Sequence, residues 1–128
     1  MPYVFKFPQT RALIDYVDTQ YGRDLEHLWP RTPENAIWRR GDNNKWFGAI
    51  LSVPANKIEP TAEPKPLEIL DIRCAPDMLE YVVDHHKIFP GWHMNKKHWI
   101  TIPLDGRMTL PQIQSLLDAS FELAGAKK

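Results

Sequence analysis

Apolar residues recur at helical spacing from Pro8 to about Tyr21, with Leu13, Ile14, Val17 and Tyr21 on one face, and Gly22 follows as a left-handed stop. This predicts a first helix. Residues 23–35 carry no period and predict an irregular connection ending in Arg31-Thr32-Pro33-Glu34-Asn35. Two short aromatic and β-branched runs come next, Ala36 to Arg40 and Lys45 to Val53, separated by the turn-forming Gly41-Asp42-Asn43-Asn44. They predict a hairpin with a four-residue loop. Four prolines between Pro54 and Pro66 remove donors and break regular structure, so an exposed loop is expected there, and the most mobile internal one. Leu67, Ile69, Leu70 and Ile72 are apolar on both faces of a strand over Leu67 to Arg73, which predicts a central position.

Pro76 at a first helical position predicts a second helix to about His85, burying Met78, Leu79, Val82 and Val83. A fourth strand is expected from His98 to Leu104, ending at Asp105-Gly106. Thr109 and Gln112 have the spacing of a capping box, and Ile113, Leu116, Leu117, Phe121 and Ala124 give the last helix its core stripe. Helix, three strands, helix, strand, helix predicts an α+β fold, an antiparallel sheet with helices packed on one face. Strands one to three are expected to form a meander. A chain of 128 residues is expected to be one domain, residues 1–128.

Charge changes the picture. Sixteen basic and sixteen acidic residues cancel, so the chain lacks the overall basic excess from which nucleic-acid binders draw most of their affinity. Any such role has to come from a local patch. No run of apolar residues is long enough to span a membrane, and Met1-Pro2-Tyr3-Val4-Phe5-Lys6 lacks a signal-peptide pattern. With Cys74 as the lone cysteine, a cytoplasmic location and no disulfide are expected.

The segment that does not explain itself as core is Gly91-Trp92-His93-Met94-Asn95-Lys96-Lys97-His98-Trp99. Indoles, imidazoles and ammonium groups in close succession are what a ligand with flat rings and phosphates requires. The plainer alternative makes Trp92 and Trp99 core anchors around Met94, with Asn95-Lys96-Lys97 a solvated turn.

The run His93 to Thr101, then Leu104-Asp105-Gly106, then a last helix with Leu117-Asp118-Ala119-Ser120-Phe121, resembles the MmcQ/YjbR family. The family pattern is H-(M/L)-N-K-x-H-W-x-T, then L-D-G, then D-x-S-(Y/F). Lys45-Trp46-Phe47-Gly48-Ala49 and Ile72-Arg73-Cys74-Ala75-Pro76-Asp77 also sit where that family has its K-x-F strand and a helix start. The likeness runs from Ala36 to Leu123. The chain departs from shorter members in its Pro-rich 54–66 loop and its aromatic N-terminal region. The resemblance implies a CyaY-like (bacterial frataxin) fold and the family's provisional description as DNA-binding proteins with a double-wing motif.

Other constellations carry less. His85-His86 with Glu80, Asp84, His93 and His98 have no metal-ligand spacing, so no metal site is expected. Asp15 and Asp18 are too few for an acidic iron-binding face. Cys74 beside Arg73 and a helix start is expected to be a buried structural thiol. No phosphate loop, dinucleotide fingerprint or nucleophile elbow occurs, so no cofactor is expected.

The first reading is therefore a non-enzymatic binding module with nucleic acid as the implied partner, acting through Lys45, Trp46, Arg73, His93, Asn95, Lys96, Lys97, His98 and Trp99. Lysines and Arg73 would meet phosphates while Asn95 and an indole touch a base. The alternative is a small-molecule or protein-interaction domain using the same surface. An enzyme ranks third, since the two imidazoles have neither a nucleophile nor paired carboxylates beside them.

Overall fold

The first helix, α1 (Pro8–Tyr21), stops at Gly22, whose φ of 62° lets its N–H reach the Asp18 carbonyl at 2.9 Å. This computed structural model describes residues 5–125; the first four residues of the expected leader-free N-terminus lie outside them. Five strands follow: β1 (Ala36–Arg39), β2 (Trp46–Pro54), β3 (Pro66–Arg73), β4 (Phe89–Pro90) and β5 (Trp99–Pro103). They form one antiparallel sheet in the order β1-β2-β3-β5-β4, so β1 to β3 are a meander and β3 is central, as its two-sided apolar pattern requires. The last helix, α3 (Leu110–Gly125), opens on the expected capping box. The Thr109 N–H donates to Gln112 Oε1 at 3.3 Å, and the Gln112 N–H to Thr109 Oγ1 at 3.4 Å.

Helices α1 and α3 cover one face of the sheet. Leu13, Val17, Ile113 and Leu117 pack there with Trp38, Ile50, Leu70, Ile72, Ile100 and Ile102. A bulge between Trp38 and Arg39 sets Trp38 against Gly48 and Arg39 against Trp46, leaving Phe47 without an opposite residue. The Phe47 ring lies on the helical side against Tyr21 and Phe121, and the adjoining Trp46 meets Trp29 instead. A smaller apolar cluster, Leu51, Val53, Leu67 and Ile69, is capped by Phe7, Ile58 and Trp92.

One expectation needs correction, and two features were not foreseen. The second helix does not run from Pro76 to His85. A 3-10 turn at Pro76–Met78 leads into a single α-helical turn, α2 (Leu79–Val82), and Val83 is extended. The reason is Asp84, whose Oδ1 accepts the N–H groups of His86, Lys87 and Ile88 at 2.8–2.9 Å, an alternative to helix that the backbone takes. Met78 is accordingly exposed, while Leu79, Val82 and Val83 are half-buried against the core. A two-residue strand, β4, was not foreseen; it edges the sheet beside β5. The proline segment begins and ends as hairpin: Pro54 pairs with Pro66, the Ala55 N–H donates to the Lys65 carbonyl at 2.8 Å, and Ile58 closes over the smaller cluster.

Candidate binding cleft

Strand alternation places the chemistry. Leu70 and Ile72 of β3 point to the helices, so Ile69, Asp71 and Arg73 lie on the other face, where Thr101 and Trp99 of β5 stand opposite Asp71 and Arg73. Among the described residues, no α-helix covers this face, although Ala55 of a short 3-10 turn packs on its apolar cluster. Residues 91–98 fold over it instead.

That segment is fixed by backbone bonds. The Gly91 N–H donates to the Trp99 carbonyl at 3.1 Å, and the His98 N–H to the Asn95 carbonyl at 3.0 Å. Asn95 Oδ1 accepts the Lys97 N–H at 2.9 Å, and the His98 carbonyl accepts the Cys74 N–H at 2.8 Å. Position 91 admits no side chain, because a Cβ there would lie 2.8 Å from Trp99 Cβ and 2.9 Å from its carbonyl oxygen. His93 has a left-handed φ of 61°, a conformation that Asn44 and His85 share. Its ring lies against Trp92, centroids 3.6 Å apart.

The nine residues expected to act together divide into three groups. Trp99 is buried and Arg73 half-buried against it: Arg73 Nε donates to the Trp46 carbonyl at 2.6 Å, and its guanidinium carbon lies 4.9 Å from the centre of the Trp99 ring. Burial lowers the affinity of the Arg73 guanidinium for its proton. Trp46 and His93 line a cleft. Lys45, Asn95, Lys96, Lys97 and His98 are exposed, although Lys96 Nζ turns back to donate to the Gly91 carbonyl at 3.2 Å.

The cleft has a volume near 340 Å³ and is lined by Trp29, Thr32, Asn35, Trp46, Leu51, His93 and Met94. Trp29 and Trp46 meet edge to face, centroids 6.2 Å apart at 85°, with Arg39 5.9 Å from the Trp46 ring centre. Residues 29–35 are held in place by hydrogen bonds, including one between His27 Nδ1 and the Pro33 carbonyl at 2.8 Å. Thr32 and Asn35 N–H groups donate to the Trp29 and Thr32 carbonyls, and Asn35 Oδ1 accepts the Ser52 N–H at 3.1 Å. Trp29, Thr32 and Asn35 come from the segment without periodicity. The one sequence signal for them was an apolar Leu28-Trp29 pair stranded among prolines and polar residues.

Beneath the 91–98 segment lies a carboxyl group that the strand pattern concealed. Asp71 is fully buried, and its Oδ1 accepts a short hydrogen bond from the Thr101 hydroxyl. That hydroxyl in turn accepts the Trp92 N–H at 2.8 Å. Asp71 Oδ2 has no partner. Burial pushes the Asp71 pKa up to about 7, against the opposing pull of the Thr101 hydroxyl, the Lys96 ammonium and the Trp92 N–H. Cys74 is buried as expected, its thiol pushed up by burial and by Asp77. Among the described residues, no group of three or more His, Cys, Asp or Glu is placed to hold a metal ion, and no helix is long and apolar enough to cross a membrane.

The sequence model of the YjbR family matches residues 20–123. The chain is 31% identical to YyaQ of Bacillus subtilis over 87% of its own length and 93% of that protein. It is 29% identical to YjbR of Escherichia coli K12 over 64% of this chain and 70% of that one. A crystal structure of a Pseudomonas syringae protein superimposes with a TM-score of 0.85 at 33% identity, covering 89% of this chain and 97% of the other. The α+β sheet and the His93–Thr101 segment thus sit in a shared frame, and the chain belongs to the YjbR family.

Proposed function

We propose that the protein is a non-enzymatic binding module whose cleft takes one flat heteroaromatic ring of nucleobase size. The observation that carries this reading is the convergence of the Trp29 and Trp46 indoles and the His93 imidazole on one 340 Å³ cleft. Such rings stack on planar ligands at ~1–3 kcal/mol per base, and Asn35 and Thr32 add polar groups at the wall. An unpaired nucleotide, free or within a strand, has the matching chemistry. Duplex DNA fits less well, because Arg73 is bonded to Trp46 and Lys96 to Gly91, which leaves Lys45 and Lys97 as the outward cations of the expected set.

The non-enzymatic part rests on Cys74, the strongest nucleophile by residue type: it is buried and its thiolate is disfavoured, the reverse of activation. Tryptophan-fluorescence titrations with an uncharged nucleoside, a mixed-sequence single strand and a duplex test the reading. Saturable binding of the nucleoside or single strand, lost in Trp46→Ala, is expected. Duplex binding tighter than either, or no saturation at tens of micromolar, overturns it.

A further inference from the structure

We propose that Asp71 is a positioning residue for the cleft, holding the Trp92–His93 wall through the Thr101 hydroxyl, and that one proton on Asp71 moves that wall. The consequence for ligand rests on the cleft reading above; the movement itself does not.

The geometry forms one chain of contacts. Trp92 N–H donates to Thr101 Oγ1 at 2.8 Å, and the Thr101 hydroxyl, having accepted that bond, directs its own proton to Asp71 Oδ1. The Trp92 N–H can only donate and an ionised carboxylate can only accept, so with Asp71 ionised the Thr101 hydroxyl accepts the first bond and donates the second. The strength of the second depends on the charge of Asp71, since a carboxylate accepts more strongly than a neutral acid. The proton enters and leaves at Oδ2, the buried oxygen without a partner. A neutral acid leaves an unpaired hydroxyl there, whereas burial penalises the carboxylate more than Thr101 and Lys96 offset, which raises the pKa to about 7.

The charged surroundings are few. Lys96 of the overlying segment draws Asp71 toward its ionised form and is tied by Nζ to the Gly91 carbonyl, at the other end of the same turn. Across β2 the neighbour is Ala49, and across β5 it is Thr101. Arg73, two residues along β3, has its guanidinium on the Trp46 carbonyl and the Trp99 ring. His93, whose imidazole lies against Trp92, and His98 are the imidazoles of the same segment. Ionised Asp71 therefore tightens both Thr101 and Lys96 against it and seats the turn; protonated Asp71 slackens both at once. His93 and Met94, which follow Trp92 directly, carry the change into the cleft.

The test is the backbone amide resonance of Trp92 in the free, full-length protein from about pH 5 to about pH 9, compared among wild type, Asp71→Asn and His93→Gln. A transition near neutral pH is expected in wild type and in His93→Gln and is absent from Asp71→Asn. A transition that survives in Asp71→Asn, or vanishes in His93→Gln, assigns it to the imidazole and overturns the proposal. If Asp71→Asn fails to fold, the side-chain carboxyl carbon of Asp71 in wild type decides. A midpoint matching that of the Trp92 amide supports the proposal, and one in the ordinary carboxylate range near ~4 overturns it. Affinity for an uncharged nucleoside is expected to change ~5- to 10-fold across the same midpoint. Tracking of Asp71 by Trp92 without nucleoside binding leaves the positioning role standing and removes the cleft reading. Nucleoside binding with a pH-indifferent Trp92 amide does the reverse.

Discussion

The two faces of the sheet solve different problems. On the helical face, apolar side chains from α1, α3 and four strands interlock, and polar groups are few and mostly partnered. The Ser120 hydroxyl donates to the Phe47 carbonyl at 2.6 Å and accepts the Arg73 N–H at 2.8 Å, and Tyr16 and Tyr21 both donate to Asp118. Its exceptions, Trp38 Nε1 and Thr10 Oγ1, are uncharged. The opposite face has a four-residue apolar cluster, a buried carboxyl, a guanidinium on an indole, a left-handed histidine and a cleft, all covered by loops. On the proposed reading this second face is the binding one.

The comparison breaks most readily on stability. Phe47→Ala removes a fully buried ring from the helical face and is expected to cost ~3–5 kcal/mol in urea denaturation. Leu51→Ala, at the edge of the cleft, is expected near the lower end of the leucine range, ~2 kcal/mol, because its site is already open. Equal losses would mean that the loop-covered face is packed as tightly as the helical one.

Next in size is the pH dependence of folding. The unfolded chain releases the Asp71 proton near ~4, whereas the folded protein keeps it to about 7. Between those values the folded state binds a proton that the unfolded state does not, so raising pH through this window favours unfolding. The stability lost is on the order of 4 kcal/mol, about 1.4 per pH unit. Asp71→Asn is expected to flatten that decline, measured as the melting temperature against pH. A decline unchanged in Asp71→Asn would assign it elsewhere.

Gly91→Ala is smaller and local. The added methyl meets the Trp99 backbone rather than a flexible tip, so the 91–98 segment must lift, at ~1–3 kcal/mol. Nucleoside affinity is expected to fall with it, and an unchanged affinity would show that the cleft does not depend on that segment.

Much of the frame was legible in the sequence because it is local. The Gly22 stop, the Thr109–Gln112 box and the two-sided apolar run of β3 each follow from neighbours a few residues apart. The helix expected to His85 failed because the Asp84 carboxylate captured three backbone N–H groups, a choice that periodicity does not register. Trp46 and His93 were recognisable by type. Their partners Trp29, Thr32 and Asn35 were not, since only the tertiary fold brings the 23–35 connection beside the 91–98 segment. Glu68 and Asp71 were passed over within β3; one is buried accepting the Lys6 and Phe7 N–H groups, the other lies under Trp92.

The finest division falls between two adjacent lysines. Lys97 is exposed, and Lys97→Ala is expected to change stability by no more than ~0.5 kcal/mol. It is also expected to leave the neutral-pH transition of the Trp92 amide in place. If a single strand is the ligand and Lys97 meets a phosphate, the slope of log affinity against log salt shrinks by ~0.7. Lys96 is as exposed by residue, yet its ammonium bonds the Gly91 carbonyl and draws down the Asp71 pKa. Lys96→Ala removes the one cation opposing the burial of that carboxyl, so the Trp92 midpoint is expected to move to higher pH. The shift is read in the same amide titration that tests Asp71. A midpoint that moves equally in both variants would mean that general surface charge, not the ammonium tied to the turn, sets the proton state of Asp71.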